Sequence, residues 1–151
     1  MKSTLYILSF LFLCTLSIHA QTLRLDQVPP AVTNAFRARY PQAQQPSWEL
    51  NGSDTYQVGF FSAKKMQTAV FDNMGKWVRT ETDITIGPVP RAVSNAISKN
   101  FPGYNVQIIT ELENADATIT YEVVVFKGRE NYDVIFSAKG IILKKEAGRT
   151  E

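Results

Sequence analysis

An α+β fold is predicted, built from two tandem helix-plus-four-strand repeats whose antiparallel sheet carries both helices on one face. Three observations predict it. The segment from Val28 to Pro41 recurs 61 positions later as Val89 to Pro102, with seven of fourteen positions identical, and a fixed-offset match of this length marks two versions of one structural unit. Within each copy the apolar residues keep a helical period of 3.6. After each copy the pattern changes to short alternating runs cut by turn residues, the pattern of half-buried strands. One unit of about sixty residues buries only a marginal core. Two units side by side form a continuous sheet.

The chain begins with Met1-Lys2-Ser3-Thr4 and a nearly continuous apolar run from Leu5 to Ile18. A basic start and an apolar stretch too short for a comfortable membrane span read as an export signal, with cleavage expected after Ala20. Cys14 follows Leu13, and a large residue there argues against lipid attachment. The expected boundaries are a signal peptide at 1–20, repeat 1 at 21–83, repeat 2 at 84–146 and a polar tail at 147–151. The mature chain of 131 residues then has neither cysteine nor histidine, and carries 15 basic against 14 acidic side chains. Stability must come from core burial and not from disulfides. Interspersed charges close to balance make nucleic acid or an anionic membrane an unnatural partner. No second long apolar segment follows, so no stable membrane span is expected after cleavage.

Thr22 to Gln27 reads as a lead-in. In repeat 1, Val28, Ala31, Val32, Ala35, Phe36 and Tyr40 form one helical stripe. Pro29 and Pro30 suit a first turn, where a missing N–H costs nothing. Arg37 and Arg39 suit the negative end of the helix dipole, and Pro41 stops the helix. Strands are expected at 46–50, 55–61, 66–71 and 76–80. The turns between them are marked by Asn51-Gly52-Ser53, Ser62 to Lys65 and Asp72 to Gly75. Adjacent short strands favour an antiparallel meander.

Ile84 to Pro88 connects the halves. Val89, Ala92, Val93, Ala96, Ile97 and Phe101 repeat the stripe, and a strand is expected at 106–112. The turn from Glu113 to Asp116 is about four residues longer than its counterpart, and shifts the repeat offset from 61 to 65. Tyr56 then aligns with Tyr121, Val58 with Val123, Phe61 with Phe126, Phe71 with Phe136 and Gly75 with Gly140. The duplication therefore covers the sheet as well as the helix.

Common catalytic arrangements find no residues to use. Without Cys or His in the mature chain, the usual nucleophile–base pairs and histidine or thiolate metal sites are absent. Ser62 with Lys64, and Ser137 with Lys139, read as strand links and turns rather than dyads held within hydrogen-bond reach. Glu111, Glu113 and Asp116, or Asp72 and Asn73, lack the spaced oxygens and glycine of a calcium loop. No cofactor is expected.

The helix motif of both copies, Trp48, Tyr56-Gln57-Val58, and Phe71-Asp72 with Gly75-Lys76 resemble the PepSY-like, beta-lactamase-inhibitor-like family of small exported proteins over residues 27–145. The resemblance implies an extracytoplasmic protein with tandem repeats and a helical segment packed on an antiparallel sheet. Broader relatives include domains held to restrain peptidases and an inhibitor that grips beta-lactamase with its open sheet face. Repeat 2 departs from repeat 1 at Ile109, where Trp48 stands, and at Ile142, where Trp77 stands.

If Tyr56, Val58 and Phe60 face the helices, then Phe61, Val70, Val124, Phe126 and Ile135 face away, with Trp77 and Ile142 placed beside them. Arg79, Lys144, Gln57 and Glu122 would surround this set. An apolar patch rimmed by charge is the composition of a protein-binding surface. The expected function is a non-enzymatic periplasmic or secreted binding or regulatory protein that uses this face, with restraint of an envelope enzyme as one form of it. Alternatives left open are a carboxylate-dependent small enzyme and a structural or small-ligand module. The patch also has two other readings: burial in a homodimer, or ordinary core with Trp48, Phe61 or Trp77 turned inward through a bulge.

Overall fold

The structure, a computed structural model, describes residues 21–148. The expected signal peptide, and residues 149–151 of the expected tail, lie outside the described residues. Nine antiparallel strands form one sheet in simple sequence order. They are β1 (Gln21–Leu23), β2 (Gln44–Asn51), β3 (Thr55–Ser62), β4 (Lys65–Asp72), β5 (Trp77–Ile84), β6 (Asn105–Asn114), β7 (Ile119–Lys127), β8 (Glu130–Ser137) and β9 (Ile142–Ala147). Helix α1 (Pro30–Arg39) precedes β2, and α2 (Arg91–Asn100) precedes β6. Each repeat thus contributes a helix and the four strands that follow it, and β1 adds a ninth strand at the edge.

Two expectations change at the chain ends. The lead-in is an edge strand, β1, paired with β2 through Leu23 and Trp48, followed by a 3-10 turn at Leu25–Gln27. At the other end β9 runs to Ala147, the first residue of the expected tail. The fourth strand of repeat 1 is also longer than expected. Its extension to Ile84 pairs with β6 from Arg79–Asn114 to Ile84–Ile109 and makes the two repeats one sheet.

Each helix begins after a proline, Pro29 or Pro90, whose carbonyl accepts the first helical N–H groups. Each ends at an aromatic residue, Tyr40 or Phe101, whose N–H closes on Phe36 or Ile97. Helix α1 buries Val32 and Phe36 on Trp48, Val58, Phe60 and Phe71. Helix α2 buries Val93 and Ile97 on Ile109, Tyr121, Val123, Val125, Val134 and Phe136. The pairing ladder connects Phe60 through Gln67, Thr82 and Glu111 to Tyr121 and Phe136. Directly paired residues share a face, so both helices cover the same side of the sheet, over two separate cores.

That ladder also shows how the repeats are set against each other. Phe60 reaches Tyr121, whereas its repeat equivalent, Val125, lies four residues further along β7. The second unit is therefore stepped along the strands relative to the first.

The turn before the last strand of each unit docks on that unit's helix. Gly75 (φ +84°) lies against the Ala31 carbonyl in the first turn of α1, and Gly140 (φ +77°) lies against the Ala92 carbonyl of α2. Positive φ and backbone contact both require glycine here. Just beyond each turn the register shifts, between Val70 and Phe71 in the β4–β5 pair and between Ile135 and Phe136 in the β8–β9 pair. One extra residue in a strand exchanges the faces of everything before it.

Candidate protein-binding face

The bulges decide where two of the expected residues go. Trp77 pairs with Phe71 and packs on the helix-side core of repeat 1. The Arg39 guanidinium of α1 lies 3.4 Å from its ring centroid, and its indole N–H donates to Thr80 Oγ1 at 3.1 Å. Arg39 also pairs with Glu113 of β6 at 3.0 Å, and so ties α1 to the other repeat. Ile142 pairs with Phe136, which places it at the helix-side margin of the sheet. Expecting Trp77 and Ile142 on the outer face is thus corrected: simple alternation back from Arg79 and Lys144 ignores the extra residue.

Phe61, Val124, Phe126 and Ile135 lie on the face away from the helices, as alternation from Phe60, Val123, Val125 and Val134 requires. Phe61 (44 % exposed) and Phe126 (37 % exposed) stand near the strand ends. Phe61 lines a shallow concavity of about 620 Å³ with Gln44, Gln45 and Lys64. Val124 and Ile135 are half-buried. Val70 is on the same face but only 1 % exposed, between its cross-strand neighbours Gln57 and Arg79. Leu112, cross-strand from Glu81 and Thr120, is similarly enclosed. Leu112 was missed as a face residue, although counting back by one from Glu113, which pairs with inward Thr80, would have found it.

The face is consequently not one apolar patch. Its apolar residues, among them the cross-strand pairs Phe61–Met66 and Ile108–Val124, are interrupted by charge: Glu49, Glu81, Asp83, Glu122, Asp133 and Glu146, with Arg79 and Lys144. Most of these are already engaged. Arg79 pairs with Glu81 at 2.7 Å and Lys144 with Glu146 at 3.0 Å, while Gln57 donates to Glu49 and Thr110 to Asp83. Glu122 is different. Burial raises its carboxyl pKa above the ordinary value, and the nearby charges of Glu81 and Asp133 push the same way, against weaker opposition from Arg79 and Lys144.

The sign of its effect on stability follows directly. A folded-state pKa above that of the unfolded chain favours folding below the ordinary carboxylate range, and the contribution is lost as pH rises through the folded value. Glu122→Gln should therefore melt above the wild type near neutral pH, with the gap closing toward about pH 4. Thermal melts across about pH 4–8 check this. A gap independent of pH would rule out ionisation of Glu122 as its source.

The other carboxylates considered from sequence do not converge. Glu113 holds Arg39, Glu111 accepts from the Tyr121 hydroxyl at 3.1 Å, and Asp116 accepts from the Thr118 hydroxyl and N–H in its own turn. Those hydrogen bonds hold the Asp116 carboxyl below its ordinary pKa. Among the described residues no group of three or more His, Cys, Asp or Glu side chains is arranged to hold a metal ion. No described helix is long and apolar enough to cross a membrane.

The chain is thus a duplicated sheet with helices on one side and side chains displayed on the other. A scan of protein families matches residues 15–60 and 54–144 to the family described as "Putative beta-lactamase-inhibitor-like, PepSY-like", and the chain belongs to that family. Among solved structures it is similar to a BLIP-like protein from Bacteroides fragilis, at 26% identity over 80% of this chain and 86% of that one, with a TM-score of 0.70. A DUF2874 family protein from Bacteroides uniformis is 26% identical over 79% and 88%, with a TM-score of 0.73. A protein from Bacteroides eggerthii described as a "putative periplasmic" one is 26% identical over 80% and 88%, with a TM-score of 0.71. A search of curated proteins finds no match. The inhibitor-like family and the periplasmic neighbour fit a periplasmic or secreted protein with a binding or regulatory role.

Proposed function

We propose that the open face of the sheet, with Phe61, Val124, Phe126 and Ile135 as its apolar contacts, holds a protein partner in the cell envelope, and that the partner is an enzyme restrained by being held. The observation that carries this reading is the one-sided placement of α1 and α2. Both cores are completed from the helix side, and Phe61 and Phe126 are left exposed on the other. The inhibitor-like family supports restraint as the consequence of binding. Phe61 and Phe126 supply aromatic anchors and the charged band supplies specificity.

The test is a triple variant, Phe61→Ala with Phe126→Ala and Ile135→Ser, used as bait in an envelope extract of the organism that encodes the chain. Ile86→Ser, an exposed position in the connection between the repeats, is the control. We expect the wild type and the control to retain the same protein and the triple variant to lose it by about tenfold or more, while all three keep their thermal transitions. Undiminished capture by the triple variant would refute the reading. So would a wild-type dimer in sedimentation that the triple variant converts to monomer, because the face would then be closed by a second copy.

A further inference from the structure

The open face is acidic in a chain that is not. Residues 21–151 carry 15 basic and 14 acidic side chains, yet carboxylates outnumber cations on the strands of this side, where Arg79 and Lys144 are each bonded to a carboxylate and Lys64 stands at the margin beside Phe61. The basic side chains of the helices, Arg37, Arg39, Arg91 and Lys99, belong to elements on the opposite side. Resting on the open-face reading above, we propose that the partner meets this face with a lysine or arginine side chain seated against Glu122, its aliphatic stem lying over Val124 and Ile135.

Geometry locates the seat. Glu122 pairs with Thr110 and Ile135, and Val124 is the next outward residue on the same strand. Its carboxylate is thus bordered by Thr110, Val124 and Ile135, with Glu81, Asp133, Arg79 and Lys144 near enough for their charges to act on it. An arriving cation would replace lost hydration with a direct charge-assisted bond. A long cationic side chain suits the site because its methylene stem covers apolar surface while its head reaches the charge. The raised carboxyl pKa agrees with this, since a carboxylate short of solvation and of counter-charge gains most from a new cation. A neutral or acidic segment would bury Glu122 further against only the weaker opposing charges of Arg79 and Lys144, at a cost larger than the contact itself returns.

Three capped synthetic peptides of equal length and equal apolar content test this. They carry a central Lys-Arg, Gln-Gln or Glu-Glu pair, and each is titrated into the mature exported chain with amide chemical shifts as readout. The Lys-Arg peptide should give saturable shifts at Glu122, Val124 and Ile135. Its affinity should exceed that of the Gln-Gln peptide by about tenfold and weaken as salt rises from about 50 to about 500 mM. Glu122→Gln should lose that advantage with its fold intact. Equal binding of the three peptides, no binding of any, shifts centred on the helices, or an unchanged advantage in Glu122→Gln would each overturn the proposal. If that happens while the triple variant still loses its partner, the open-face reading stands and only the basic anchor falls. If capture also survives the triple variant, both fall.

Discussion

Gly75→Ala and Gly140→Ala are each expected to destabilise the protein by roughly 2–6 kcal/mol. Two costs combine. A non-glycine residue held at positive φ costs about 1–3 kcal/mol, and forcing extra volume into a packed contact adds about 1–3 kcal/mol. The new Cβ at position 75 would stand 2.5 Å from the Ala31 carbonyl oxygen and 2.8 Å from its carbon. Backbone cannot swing aside as a side-chain tip can, so either α1 lifts from the sheet or the turn opens. Gly52 provides the comparison. It also has positive φ (+71°), but a Cβ there would meet nothing within 4 Å. Urea unfolding of Gly75→Ala and Gly52→Ala separates backbone strain from helix docking. Equal losses would mean that the glycine–helix contact contributes nothing.

Phe36→Ala should cost about 3–5 kcal/mol, the range for deleting a large aromatic from a core. Phe36 is the hub of the first cluster. Its ring lies 5.3 Å from Trp48, 5.2 Å from Phe60 and 5.6 Å from Tyr40, with Phe71 edge-on at 6.4 Å. Such edge and tilted pairs add to the area buried. Both tryptophans of the chain, Trp48 and Trp77, pack in this half, so fluorescence reports the loss where it occurs. The denaturant midpoint should fall together with the fluorescence transition. A loss below about 1 kcal/mol would mean that the cluster closes over the gap, contrary to the usual partial relaxation of cores.

Much of this architecture was legible because its signals are local and occur twice. The stripe from Val28 to Tyr40 with Pro29 and Pro41 predicts a helix, and α1 occupies Pro30–Arg39. The realignment of Phe71 with Phe136 and Gly75 with Gly140 predicts equal units, and each has a helix and four strands. Strand β1 was hidden because three residues, Gln21–Leu23, carry too little pattern to separate an edge strand from a lead-in. On the open face, alternation holds for Phe61, Val124, Phe126 and Ile135, and fails for Trp77 and Ile142. Hydrophobicity cannot reveal a bulge, because the extra residue leaves composition unchanged while reversing direction. The pairing of Trp77 with Ile142 across the repeats was the available hint, since both keep bulk where a core is being closed. The acidity of the face escaped composition altogether. Near-neutral net charge conceals a separation of sign between two sides, and only register shows which carboxylates stand together.

The step between the two units fixes the direction in which anything periodic could lie on this surface. Passing from β3 to β7 crosses four strand spacings, about 19 Å, while equivalent residues are displaced along the strands by about 13 Å. Matching spots such as Phe61 and Phe126 are therefore joined by an oblique line, about 35° from the perpendicular to the strands. A rod-like molecule with two identical handholds would have to lie on that slant to use both, and one laid straight across would grasp unlike neighbours.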